Sequence, residues 1–180
     1  MARYELHERA AEIVRDAGGQ LIGRTRLQKV AYLVKLAGFG DDFQFEYRHY
    51  GPFSEDLAAA MEIARATGLV TEDERRAEWG GRYSIYKTAR ALAVSGMATS
   101  GRAKFIAATA GVDAVELELA ATAAFLYAEE GIGRQRGEDA WEETARRKPE
   151  KAAEGRLERA KAVYRTFLDI PAPRELPRIA

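Results

Sequence analysis

The stretch "HYGPFSEDL", residues 49–57, gathers the residue types in this 180-residue chain that are best suited to chemistry. His49 can change charge near neutral pH, Tyr50 offers a phenol, and Ser54 offers a hydroxyl next to Glu55 and Asp56. A nucleophilic site needs a base within hydrogen-bond reach and a third group to orient that base. No Ser–His–acid spacing in the chain meets that demand. The stretch also has a purely structural account. Gly51 before Pro52 is pushed toward extended backbone. Ser54 is a strong helix N-cap, and the two acids after it stand where the helix dipole favours negative charge. Only His49 and Tyr50 fall outside that account, which makes them candidate partner-binding residues.

Other chemistries are poorly supplied. With no Cys there are no disulfides, no thiolate zinc site and no Cys nucleophile. The two histidines, His7 and His49, are too few for a His-rich metal centre. "GDD" (40–42) lacks the Lys-Ser/Thr of a phosphate loop, and "GIGRQRG" (131–137) neither follows a strand nor has the glycine spacing of a dinucleotide fingerprint. No catalytic residue, cofactor or metal is therefore assigned, and the expectation is a protein that is not an enzyme. Two basic groups could hold an anion. Arg24, Arg26 and Lys29 stand at the start of a helix, where side chains and dipole add. "ARRKPEKA" (145–152) is a second basic run. Either could equally be a solvated helix end. Trp79, between Glu78 and Gly80, is an indole that is either tucked under its hairpin or left as an anchor for a partner.

These residues must be positioned by the elements around them. Lys plus Arg and Asp plus Glu both number 28, so the zero formal charge removes the general pull toward nucleic acid or anionic membrane. The longest uncharged apolar run, "LAATAAFLYA" (119–128), is half a membrane span, and "MARYELHERAAEIV" lacks a signal peptide's apolar run, so a cytoplasmic location is expected. A helix covers the first residues to Gly18-Gly19. A second follows, with Thr25 and Gln28 spaced as a capping box and Gly38-Phe39 as a Schellman end. "FQFEYRHY" (43–50) alternates as an extended segment, and a third helix begins at Ser54. Runs 69–74 and 82–87 flank Gly80-Gly81 as a β-hairpin. Thr88 is placed to cap a further helix, and a short one lies near 101–110. Asp113 opens a helix that is apolar all round from Leu119 to Ala128, the mark of a central, buried element. The last helix turns Leu157, Ala160, Tyr164, Phe167 and Leu168 inward. The expected fold is mainly α, with a winged-helix-like half at about 1–95 that contains one small hairpin and a helical bundle at about 101–170. These form a single domain, with a seam near 96–101 and a flexible tail at 171–180.

Four stretches, "GRTRLQKVAYLVK", "YRHYGPFSEDL", "AATAAFLYAEEG" and "ARRKPEKA", follow one another at spacings that resemble the YwgA-like family of small prokaryotic proteins. That family is similar to the Panacea-type (SocA-like) domain of some antitoxins. The resemblance spans roughly residues 20–170, and Tyr-Gly-Pro carries most of its specificity. It implies mostly helical structure and a protein partner such as a toxin, and it implies no catalytic residues. The alternative is a winged helix-turn-helix regulator that binds DNA. Its recognition helix, 54–67, would carry Glu55, Asp56 and Glu62 against Arg65 alone, a poor match for phosphates. The expected function is thus a protein-interaction module, and a homodimer is compatible with it. The segment 43–50 must return toward the core before Pro52 redirects it. That path is expected to bring His49 and Tyr50 near Arg24, Arg26 and Lys29, forming one surface for an acidic or polar partner.

Overall fold

The computed structural model describes residues 3–89 and 100–179. The helix expected from Thr88 onward, and most of the expected seam near 96–101, fall on residues outside these. The first helix, α1 (Arg3–Asp16), is followed by strand β1 (Gln20–Ile22), α2 (Arg24–Leu36), β2 (Glu46–Arg48), β3 (Gly51–Phe53) and α3 (Glu55–Ala66). The hairpin β4 (Val70–Arg76) and β5 (Arg82–Thr88) comes next. Five helices complete the order: α4 (Gly101–Ala110), α5 (Ala114–Ala128), α6 (Ala140–Arg147), α7 (Pro149–Ala152) and α8 (Arg156–Leu168).

The fold is mixed α/β, which corrects the expectation of a mainly α fold with one hairpin. The hairpin belongs to a three-stranded antiparallel sheet of order β1-β5-β4, and β2 pairs with β3 in a second, two-stranded sheet. Both unexpected strands, β1 and β3, are three residues long, too short to show a period of two. β1 lies between glycine turns and is recruited because its backbone can pair with β5, Leu21 opposite Tyr86. β3 contains Pro52, which lacks an N–H and normally argues against a strand. In a sheet of only two strands one side needs no donor, and Pro52 sits opposite Tyr47.

The helix ends show which local signals hold. Ser54 caps α3 by accepting from the Leu57 N–H at 3.2 Å. Asp113 caps α5 by accepting from the N–H groups of Val115 and Glu116. The end of α2 is a Schellman turn: Phe39 N–H donates to the Val34 carbonyl at 3.1 Å, and Gly38 takes a φ of 79°. The Thr25–Gln28 capping box does not form. The N-cap of α2 is Gly23, two residues before Thr25, and no side chain caps it. Gln28 is instead drawn to another part of the chain.

α5 is the central element. Its residues from Leu117 to Leu126 are all buried, and it packs against α2, α6, α8 and β3. Around it, Tyr32 lies 5.4 Å from both Phe45 and Phe125, measured between ring centres, so α2, the segment before β2 and α5 share one aromatic cluster. The segment after α8, expected to be a flexible tail, is docked. Leu176 is buried in the core, Tyr164 donates its hydroxyl to the Pro177 carbonyl at 2.8 Å, and Arg174 N–H donates to the Ala37 carbonyl at 3.0 Å. An apolar residue among prolines supplies the burial, and the end of α2 supplies an unused carbonyl. Leu176→Ala should therefore lower stability by about 2–5 kcal/mol, as for other buried leucines. Chemical denaturation checks this, and a change within about 0.5 kcal/mol, typical of an exposed site, would show that the segment is not docked.

Candidate functional site

The turn Tyr50–Ser54 is held by side chains from three other elements. From α2, the Gln28 amide grips the Ser54 backbone in both directions. Its Nε2 donates to the Ser54 carbonyl at 3.0 Å, and its Oε1 accepts from the Ser54 N–H at 2.8 Å. One residue on, Lys29 Nζ donates to the Pro52 carbonyl at 2.8 Å. From the α6–α7 junction, Lys148 Nζ donates to the His49 carbonyl at 3.1 Å. From α5, Thr122 closes on Gly51, whose φ is 87°. A Cβ added to Gly51 would lie 2.3 Å from Thr122 Oγ1, so glycine is required there both by conformation and by space.

Beneath this turn lies a buried ionic cluster. Glu118 on α5 is almost fully buried. It accepts from Lys148 Nζ at 2.9 Å and from Lys151 Nζ at 2.7 and 2.6 Å. Lys29, only 1% exposed, sits close enough to feel all three charges. Burial lowers its pKa to about 7. Glu118 opposes that shift, while Lys148 and Lys151 add to it. Lys148 and Lys151 thus share one carboxylate, and Lys29 lies close to both. Arg147 is balanced separately: it forms a fork with Glu130 at 3.1 and 2.8 Å, bonds Glu143 at 2.8 Å, and stacks 4.8 Å over the Tyr47 ring.

Of the expected surface, the structure brings together His49 and Tyr50. Both are exposed, Tyr50 by 52%, and their rings meet edge to face at 5.2 Å. Lys151 Nζ lies 4.6 Å from the Tyr50 ring centre. Lys29 is near them but is a core residue, not a surface one, because its amine is used to satisfy the turn. Arg24 lines a cavity with Tyr50, but its guanidinium is committed to Glu72 at 2.9 and 2.8 Å. Burial would raise the Glu72 carboxyl, yet hydrogen bonds from Ser84 and Arg24 outweigh it and hold the pKa below its ordinary value. Arg26 points elsewhere. It donates to the carbonyls of Ile22, Ala110 and Val112, so it closes the C-terminal end of α4. Trp79 is 82% exposed at the hairpin tip, lies over Gly81, and lines a different cavity beside Arg26 and Tyr83. The proposed single surface of Arg24, Arg26, Lys29, His49 and Tyr50 is therefore corrected. The exposed pair is joined by Lys151 instead, while Lys148, like Lys29, is buried and supports the turn.

Gln28, Gly51, Glu118 and Thr122 are not marked as site residues by the sequence, and Lys148 and Lys151 are marked only as part of the second basic run. The signal for most of them lay in the four stretches that carry the family resemblance. Gln28 and Lys29 come from the first, Tyr50 to Ser54 from the second, Thr122 from the third, and Lys148 and Lys151 from the fourth. These stretches are scattered in sequence and meet at one turn. Among the described residues, no group of three or more His, Cys, Asp or Glu is placed to hold a metal ion. No helix among them is long and apolar enough to cross a membrane.

No protein-family profile matches the chain. Over 88 residues it is 30% identical to the uncharacterised protein YwgA of Bacillus subtilis (strain 168), which supports the YwgA-like resemblance. The match covers 48% of this chain and 52% of YwgA, about half of each.

Two predictions follow from the turn. Gly51→Ala should destabilise by about 1–3 kcal/mol from backbone strain, with a steric cost added. Thr122→Ala should relieve the steric part, so the double mutant should be more stable than the sum of the single changes implies. A double-mutant cycle by urea unfolding measures this, and additive effects would show that the two residues do not press on each other. The second prediction concerns Lys29. Above about pH 7 the folded chain has released a proton that an unfolded lysine keeps until near its ordinary pKa of 10.5. The unfolded state then binds more protons, so this residue makes stability rise with pH across that window. Lys29→Met should flatten the rise. Urea midpoints for both proteins from about pH 7 to about pH 9 test it, a range below the ordinary pKa of tyrosine. Parallel curves would mean that Lys29 stays charged in the folded protein.

Proposed function

We propose that the protein is a non-enzymatic protein-interaction module that engages an acidic or polar partner through the face carrying His49, Tyr50 and Lys151. One observation carries the reading. Tyr50 holds an exposed aromatic ring on a backbone that is fixed on both sides, at the His49, Pro52 and Ser54 carbonyls. An aromatic anchor that is ordered before binding loses little freedom on association, and such residues dominate interface energies. The lysines beside it add long-range attraction for negative charge. A Panacea-type likeness of the Tyr-Gly-Pro motif points the same way, toward a protein partner such as a toxin in an antitoxin-like pairing.

Duplex DNA fits less well. The first turn of α3 presents Glu55 and Asp56, and two of the three hairpin arginines are engaged within the hairpin: Arg75 with Asp73 at 2.7 Å, and Arg82 with Glu74 at 3.6 Å. The test is site-specific photo-crosslinking in cells of the native host, with p-benzoylphenylalanine in place of Tyr50 and, as control, in place of Arg165 on α8. A discrete protein adduct at position 50, absent at position 165 and weakened by Lys151→Met, is expected. No protein adduct at position 50, the same adducts at both positions, or adducts only with nucleic acid would overturn the reading.

A further inference from the structure

Two cavities adjoin at Tyr50, and they differ in character. The first, of about 500 Å³, lies between α2 and α3. Its walls include Leu27, Phe53, Ala58, Ala59 and Met61. Lys29 also lines it, buried and with its amine committed to the Pro52 carbonyl. The other charged groups at its edge are matched: Arg24 with Glu72, Glu55 with Arg48, and Glu62 with Arg65. It therefore offers apolar surface and little net charge, and Met61 gives it an adaptable lining. The second, of about 520 Å³, lies over the α6–α7 junction and is lined by Tyr47, His49, Lys148 and Lys151 among others. Arg147 in its wall is balanced by Glu130 and Glu143. Lys148 and Lys151 are not balanced, because both rely on Glu118, with Lys29 close behind them. One acid, Glu150, also lines this cavity. The exposed ring of Tyr50 lines both cavities and forms the ridge between them.

We infer that the partner docks through a peptide segment that places a bulky apolar side chain in the α2–α3 cavity and a nearby aspartate or glutamate over Lys151, with Lys148 buried behind it and Tyr50 packed between the two. This inference rests on the protein-interaction reading above and specifies the segment that the face accepts. Charge complementarity selects the acidic residue: Lys148 and Lys151 share the single carboxylate of Glu118, and a carboxylate over Lys151 supplies the second negative charge. The apolar residue is selected by the matched charges and aliphatic walls of the first cavity, which reward burial of hydrocarbon and give a second charge nothing to pair with. Tyr50 contacts both parts, so the two contacts must be close in the partner's sequence.

The test uses the full chain as bait for a random peptide library displayed on phage. Selected peptides are then made synthetically and their affinities measured by fluorescence anisotropy. Enriched peptides should pair a bulky apolar residue with an acidic one. Changing the acid to its amide, or the apolar residue to Ala, should weaken binding at least about 10-fold, less than a full hot-spot contact is worth. On the protein, Ala59→Trp fills the apolar cavity from an exposed helix position, and Lys151→Met removes one charge while keeping its stem. Each should weaken binding at least about 10-fold, with circular dichroism showing the fold retained. Failure to enrich any peptide overturns the inference. So do enriched peptides whose binding ignores Ala59→Trp or Lys151→Met, and so does a concentration-dependent dimer in sedimentation that Ala59→Trp abolishes, which would give the cavity to a second copy of this chain. If Tyr50 crosslinks to a protein while peptide selection fails, the interaction reading stands and the segment chemistry falls. If position 50 captures no protein, the interaction reading itself falls.

Discussion

The structure around the site depends on how the backbone polar groups of residues 49–54 are satisfied once the turn is packed against α5. Ser54 is fully buried, and Gly51 and Pro52 are buried with it. An amide or carbonyl left there without a partner would cost a few kcal/mol. The chain meets the need with side chains. The planar amide of Gln28 donates and accepts at once, and it satisfies both groups of Ser54. Lysines take the carbonyls of Pro52 and His49. Bringing the Lys148 ammonium inside then requires a buried counter-charge, which Glu118 supplies. A buried carboxylate in the central helix is thereby explained by a turn nearly seventy positions earlier.

Local chemistry made a good part of the fold legible. The caps at Ser54 and Asp113, the Schellman turn at Gly38 and the hairpin around Gly80-Gly81 all rest on interactions between residues a few positions apart. The buried helix 114–128 was legible because its apolar residues leave no solvent face. The short strands β1 and β3 were not, since what makes them strands is a partner distant in sequence. The same reason misled the reading of α2. Thr25 and Gln28 have capping-box spacing, but Gln28 gains more from two bonds to buried backbone than from one at an exposed helix end.

The basic residues show the limit most clearly. Arg24, Arg26 and Lys29 look alike as a cluster at a helix start. The fold sends them to three fates: an ion pair on the sheet, the carbonyl end of another helix, and the core. Charge and spacing along one helix cannot separate these, because each fate is set by what another element presents. The pair at 49–50 was legible for the opposite reason. Nothing local explained those two side chains, and they are the ones left facing solvent.

Lys148 reaches His49 across 99 positions, and Lys151 reaches Glu118 across 33. Contacts of such separation form against a large loop-closure entropy and tend to complete late in folding. The face that carries Tyr50 is therefore absent from any nascent chain that has not yet extruded α6 and α7 from the ribosome. A partner that needs this face cannot be captured during synthesis of the N-terminal half. Such a partner would meet only chains in which α6 and α7 have already been made.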